Sequence, residues 1–209
     1  MLKIIRIAAP VLMVLTAGMQ FASAQQFNGY YSVGTTVDSS SNTQIDTFGT
    51  GSPFTTPRMG GLFSDFGASF MATKQFGAGA DISWRDTQGA YAGLNYRPLF
   101  YNFDGIYQPV KTKRFAPELR LGLGGVHLGY SLNQTACNSF TGCSTATEGV
   151  GSSEHFQMHA EVAARFYVTN HIFVRPAVEA HWVNDFFQFG SNWVPQYSIG
   201  VGYSIGGGE

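Results

Sequence analysis

The chain is poor in charge, in cysteine and in long apolar runs, and each shortage excludes something. Charged residues fill 12% of its 209 positions, about half the share ordinary in soluble domains, so a conventional solvated surface is hard to assemble. Beyond residue 24 no segment approaches 18 unbroken apolar residues, which excludes a spanning helix and leaves spanning strands open. The two cysteines, Cys137 and Cys143, stand in an Asn/Ser/Thr/Gly stretch with no histidine beside them. A zinc site there lacks ligands, and a loop disulfide in an exported chain is the expectation. With Lys3 and Arg6 set aside, ten basic residues face 13 acidic ones, a balance with no footprint for nucleic acid. Gly122 to Gly125 lacks the lysine and following helix of a phosphate loop.

What the chain does have begins with an export pattern. Lys3 and Arg6, an apolar run from Ile4 to Ala17, and Ala22-Ser23-Ala24 before Gln25 read as a signal peptide over residues 1–24. Residues 25–209 are then one domain, rich in glycine (26 in the chain) and phenylalanine (18). Near the C-terminus Tyr197, Ile199, Val201, Tyr203 and Ile205 alternate with Ser198, Gly200, Gly202 and Ser204. The alternation returns from Phe156 to Val168, where His159, Glu161 and Arg165 occupy the second face. Charges placed so regularly fit a barrel whose polar face is inside and whose outer solvent is lipid.

Eight strands are expected: Phe27–Val37, Leu62–Thr73, Gly77–Arg85, Ala92–Tyr107, Phe115–Ser131, His155–Val168, Ile172–Asp185 and Val194–Ile205. Longer and shorter links alternate between them, as in an all-β, antiparallel, up-and-down transmembrane barrel with both termini in the periplasm. Asp38, Asp46, Asp86, Glu148, Glu154 and Asp185 then mark an acidic outer rim, while Lys74, Lys111, Lys113 and Arg114 lie in periplasmic turns. The inward face carries Asp65, Asp81, Arg85, Glu118, Arg120, Glu161, Arg165, Arg175 and Glu179. An eight-stranded lumen is narrow enough for such a charge network to fill it. Tyr30, Tyr31, Trp84, Tyr91, Tyr101, Tyr107, Tyr130, Tyr167, Trp182, Trp193 and Tyr203 are candidates for interfacial belts, with some pointing inward and carbohydrate stacking as a second role for Trp193.

Two places strain the pattern. Pro98 inside the fourth strand implies a bulge or a change of face, and Gly124-Gly125 implies the same in the fifth, where Leu119, Leu121 and Leu123 give way to Val126, Leu128 and Tyr130. Counting across a tight Thr169–His171 turn sets His159 opposite His181, with His127 and His155 on neighbouring strands toward the outer mouth. Polar filling of the lumen is the expectation for these four imidazoles, with no metal assigned; a metal site completed by Glu154 or Glu161 is the alternative. The same count opposes Glu161 to Glu179 and Arg165 to Arg175, so ion pairs must run diagonally unless the register shifts. Ser153-Glu154-His155 holds the side-chain types of a hydrolase, but neighbours on a strand point in alternate directions.

The Ala22-Ser23-Ala24 signal, the eight-strand pattern and the closing segment Trp193–Tyr203 together resemble the small OmpA-like outer-membrane β-barrel proteins over the whole of residues 25–209. Tyr96–Tyr101 and Phe173–Pro176 look like their barrel-only group, without a peptidoglycan-binding domain. The resemblance implies a bacterial outer-membrane location and partnership with membrane lipid and the barrel-assembly machinery, and it brings no catalytic residue or cofactor. Such barrels commonly end on an aromatic residue; here Gly206 to Glu209 follows Ile205, so assembly signalling rests on Tyr203 or the last strand ends early. The expectation is a non-enzymatic, integral protein with a structural or surface-interaction role through its outer loops, the surface partner being undefined by sequence. The alternatives are a narrow, porin-like channel for small solutes, a lipid-modifying enzyme, and a soluble lipocalin-like barrel, the last opposed by Glu161, Arg165, Arg175 and Glu179.

Overall fold

The computed structural model describes residues 25–37, 44–46, 49–138 and 142–206. The expected signal peptide (1–24) and the tail Gly207–Glu209 lie outside them, as does part of the Asp38–Gly61 link. Period-two alternation becomes eleven strands: β1 (Gln26–Thr36), β2 (Gln44–Ile45), β3 (Phe54–Thr55), β4 (Leu62–Met71), β5 (Phe76–Arg85), β6 (Gly89–Tyr91), β7 (Leu94–Tyr107), β8 (Phe115–Asn138), β9 (Gly142–Tyr167), β10 (Ile172–Val183) and β11 (Trp193–Gly206). Eight of them close a ring. Antiparallel pairing runs β5-β4-β1-β11-β10-β9-β8-β7, and β7 returns to β5, so the barrel has no open edge.

At one end the links are short. Each carries a threonine whose hydroxyl accepts backbone N–H groups: Thr73 from Gln75 and Phe76, Thr112 from Phe115, Thr169 from His171 and Ile172. The hydroxyl satisfies donors that the turn takes out of the ladder, which makes Thr-x-x-apolar the local signature of this turn end. Lys111 in the second turn donates to Gln26 Oε1 at 2.5 Å, and its burial there lowers the ammonium pKa below the usual range.

The other end carries the longer excursions, and one differs in kind from the loop expected. Leu132 to Glu154 is paired strand over nearly all its length: β8 and β9 run past the last β7 contact, Asn95 with Ser131, and stay paired to each other out to Asn138 and Gly142. Seven residues per strand at about 3.4 Å each make a ribbon of about 24 Å standing clear of the barrel. Thr135 and Thr145 share a hydroxyl hydrogen bond (3.0 Å), Thr147 donates to Asn133 (2.8 Å), and the Cys137–Cys143 disulfide joins a directly opposed pair near the tip. Its Thr, Ser and Asn content read as a loop because period-two alternation has no apolar face to show when both faces meet water.

The two strained places also resolve differently from expectation. Tyr96, Pro98, Phe100, Asn102, Asp104 and Ile106 all face inward, so β7 neither bulges nor changes face at Pro98. The irregularity lies in its neighbour: β5 pairs with β7 only as far as Leu99, and β6 resumes at Tyr96, so Pro98 has no ladder partner on that side and pairs only with Leu128 of β8. In β8 the even-numbered residues stay inward from Ala116 to Leu128, and its one register shift comes later, at Tyr130/Ser131. What changes at Gly124-Gly125 is the medium on each side of the wall.

Candidate functional site: a tiered lumen

The lumen is filled in tiers, each set by which inward positions the register brings to one height. At the turn end the floor is neutral and hydrogen-bonded. Gln26 donates to Ser204 (3.1 Å) and Tyr167 (3.0 Å), Asn28 donates to Ser69 (3.0 Å), and Ser204 donates to Asn28 (2.7 Å).

Above it sit three arginines and two glutamates, all buried. Glu118 touches Arg120 (3.3 Å), Arg175 (3.4 Å) and Arg165; Glu161 touches Arg120 (3.7 Å) and Arg175. Arg120 and Glu161 are directly opposed on β8 and β9, whereas Arg175 reaches its glutamates diagonally and across the lumen, because on the β10 side Glu161 stands opposite Glu179. Tyr30 braces the group: its hydroxyl accepts from Arg120 (3.0 Å), and the Arg175 guanidinium lies 4.2 Å from its ring centre. The ring fits because a side chain on its neighbour Gly67 would collide with it.

The third tier is acidic, with two imidazoles. His159 and His181 are cross-strand partners, stacked at 4.9 Å between ring centres and both buried. His159 donates from Nδ1 to Asp104 Oδ1 at 2.9 Å, and its Nε2 faces Glu179 Oε2 at 3.7 Å, the same distance that separates that oxygen from His181 Nε2. Ser198 donates to the other Glu179 oxygen (2.9 Å), and Asn102 donates to Asp81 (2.8 Å). Asp104 lies on β7 and His159 on β9, with β8 between them. Gly122 is what lets them meet, since a Cβ there would strike the Asp104 carboxylate. Gly124, one rung up, likewise leaves Gln157 of β9 free to donate to Asn102 of β7.

The fourth tier, toward the ribbon end, is apolar. Phe63, Tyr96, Phe100, Val126, Leu128, Val183 and Val194 from the wall pack with Met59, Tyr91, Phe186 and Phe189 from the folded-in links. Phe186 and Phe189 stack at 4.4 Å, and Phe100 lies against His181 at 4.9 Å, where the polar and apolar tiers meet.

Of the nine residues expected in the charge network, eight are buried in the lumen. Arg85 is the exception: it sits half-buried at the rim, donating to the Arg58 carbonyl (3.1 Å) and Tyr96 hydroxyl (3.2 Å). It keeps the inward parity, directly opposite buried Phe63, but stands above the charged tiers at the level of the apolar plug. Asp104 is the member missed, although the Asn102/Asp104 alternation was visible on β7; expecting a face change at Pro98 hid it. The four-histidine cluster also divides. His159 and His181 meet, whereas His127 points outward to Glu154 (2.5 Å), and His155 sits at the mouth over Phe186, bonded to Ser153 Oγ (3.1 Å) and the Asn184 carbonyl (3.2 Å). Parity explains the division: position 127 on β8 is an outward one, and 155 lies two rungs above 159. Tyr30, Tyr91 and Tyr167 likewise serve the interior, while Tyr31, Tyr101, Tyr107, Trp193 and Tyr203 are exposed outside.

On the outer wall Phe66, Leu121, Val162, Ile199 and Val201 are among many large apolar residues more than half exposed, an arrangement water does not tolerate over so broad a band. The fold is an eight-stranded antiparallel transmembrane β-barrel with a filled lumen. It is shared by OprG from Pseudomonas aeruginosa (14% identity, TM-score 0.54, 88% of this chain and 97% of that one). A major outer membrane protein from Thermus thermophilus (9%, 0.56, 87% and 100%) and Neisserial surface protein A (11%, 0.53, 86% and 96%) share it too. No protein-family model and no curated protein sequence matches the chain.

Proposed function

We propose that the protein is an integral bacterial outer-membrane barrel of the small OmpA-like kind, inserted by the barrel-assembly machinery, and that its task is to anchor and present the β8–β9 ribbon outside the cell without catalysis. The observation that carries this reading is the contrast between a blocked lumen and a ribbon that is stapled by a disulfide and held by side-chain hydrogen bonds. A two-stranded ribbon is marginal on its own, and investment in its rigidity favours recognition by a surface partner. The ribbon's low charge, with Glu148 its one ionised side chain among the described residues, favours a partner read by hydrogen bonding over one attracted electrostatically.

The test is fractionation of cells making the protein, followed by protease treatment of intact cells and conductance in planar bilayers. Outer-membrane recovery, a heat-dependent gel shift, cleavage confined to the ribbon and no conductance steps support the reading. Regular conductance would replace it with the narrow channel. One observation favours a second reading: Ser153 Oγ and His155 Nε2 are hydrogen-bonded, with Asn184 holding the other ring nitrogen, as a nucleophile and base would be. Glu154, the acid that sequence adjacency suggests, faces away. Ester hydrolysis that disappears in Ser153→Ala while the barrel still folds would establish that reading.

A further inference from the structure

Three arginines, Arg120, Arg165 and Arg175, share the lumen with six buried carboxylates, Asp65, Asp81, Asp104, Glu118, Glu161 and Glu179. The arginines lie in the lower tier against Glu118 and Glu161, so the acidic excess falls in the tier of His159 and His181. Buried charge of one sign is met by a counter-charge or lost by protonation. In that tier, ligand atoms of His159, Glu179 and His181 lie within 4.8 Å of one another. Glu179 Oε2 stands 3.7 Å from the Nε2 of each imidazole. Two donors bound to one tetrahedral zinc at about 2.0–2.1 Å are about 3.4 Å apart, so the spacing is near that of a coordination triangle.

Hydrogen bonding points the same way. His159 donates a hydrogen bond from Nδ1 to Asp104, and its Nε2, facing Glu179, has no hydrogen-bond partner among the described residues; neither has either nitrogen of fully buried His181. Glu179 is fixed from behind by Ser198. A carboxylate behind one imidazole and a hydroxyl behind the carboxylate ligand are the outer partners that orient metal ligands. Gly122 exists in the wall where the Asp104 carboxylate must pass.

We infer that His159, Glu179 and His181 form a binding site for one divalent transition-metal ion within the lumen, oriented by Asp104 and Ser198. Two imidazoles and a carboxylate suit zinc and its neighbours over magnesium or calcium. The ion offsets the acidic tier and ties β9 to β10 beneath the apolar plug.

The full barrel, folded in detergent with Zn2+ and then washed of free metal, is the sample; Mg2+ is the control and total metal is measured per chain. The expected result is one zinc per barrel, a visible-range spectrum of four-coordinate cobalt on Co2+ substitution, and at least a tenfold loss of retained zinc in the Glu179→Gln/His181→Gln double variant. Asp104→Asn, a positioning change, weakens affinity about 10- to 100-fold. The gel shift on heating reports whether each variant folds. If the double variant does not fold, the wild-type zinc count and cobalt spectrum decide alone. A folded wild-type barrel without stoichiometric zinc overturns the site, as does equal retention by the folded double variant, which would assign the metal to exposed groups such as His127 and Glu154.

Discussion

The lower and upper parts of this barrel are built on opposite solvent assumptions. Below Gly124-Gly125 the wall is inside out: Leu119, Leu121 and Leu123 of β8 face outward, while Glu118 and Arg120 are sealed within. Above it the same parity places Val126 and Leu128 inside among phenylalanines, and His127 outside beside Glu154. The strand does not turn over; the surroundings do. Side-chain direction is set by the pleat, whereas the polarity suited to each direction is set by what lies there, lipid or water outside and an ion network or an apolar plug inside. A single strand thus records where the bilayer ends.

The two parts should fail differently. Removing one arginine from the lower part, as in Arg175→Met, strips one ion pair from each of Glu118 and Glu161 and leaves Glu161 with Arg120 alone, a loss of about 3–5 kcal/mol. Urea unfolding of the barrel in lipid vesicles measures it. Adding Glu161→Gln should recover part of the loss, because the second change removes the charge left with one partner. In the upper part Phe100→Ala leaves a cavity and should cost about 3 kcal/mol by the same assay, with no paired change able to restore it except refilling. The charged tiers beneath still block the lumen, so this variant should show no conductance in planar bilayers.

Smaller effects sharpen the boundary between the parts. Gly122→Ala pushes a methyl group into the Asp104 carboxylate and should destabilise the barrel by roughly 1–3 kcal/mol in urea titrations. Gly129→Ala, two rungs beyond the apolar switch and open to its surroundings, should be close to neutral. The smallest effect on the barrel is expected from Cys137→Ser with Cys143→Ser. The ribbon shares no ladder with the other strands, so the unfolding midpoint should stay where it was while protease cuts the ribbon faster.

Much of the fold was legible because long strands with one greasy face are periodic: Phe156–Val168 and Tyr197–Ile205 name their own inward positions. Eight of nine network residues follow from that parity alone. Legibility failed where the contrast between faces fades. The ribbon has water on both sides, so Thr135, Thr145 and Thr147 carried no strand signal, and the Val126/Leu128 switch looked like a kink because apolar was equated with outward. His127 and His155 were grouped with His159 and His181 by closeness along neighbouring strands, although two rungs or one parity step separate a lumen ligand from a surface residue.

Sequence by itself determined the eight strands of the ring, the alternating link lengths, the inside-out wall and the opposition of His159 to His181, because each depends on local periodicity and on counting across a tight turn. Only the tertiary structure decided that Asp104 reaches His159 over Gly122, that three arginines share two glutamates, that folded-in Met59, Phe186 and Phe189 complete an apolar plug, and that β8 and β9 continue outward as a stapled ribbon. Asp104–His159 and Arg175–Glu118 join strands that are not neighbours, and the plug draws on links with no period, so their partners are fixed only when the ring closes and sets the height of every rung; the ribbon has no contrast between its faces to read.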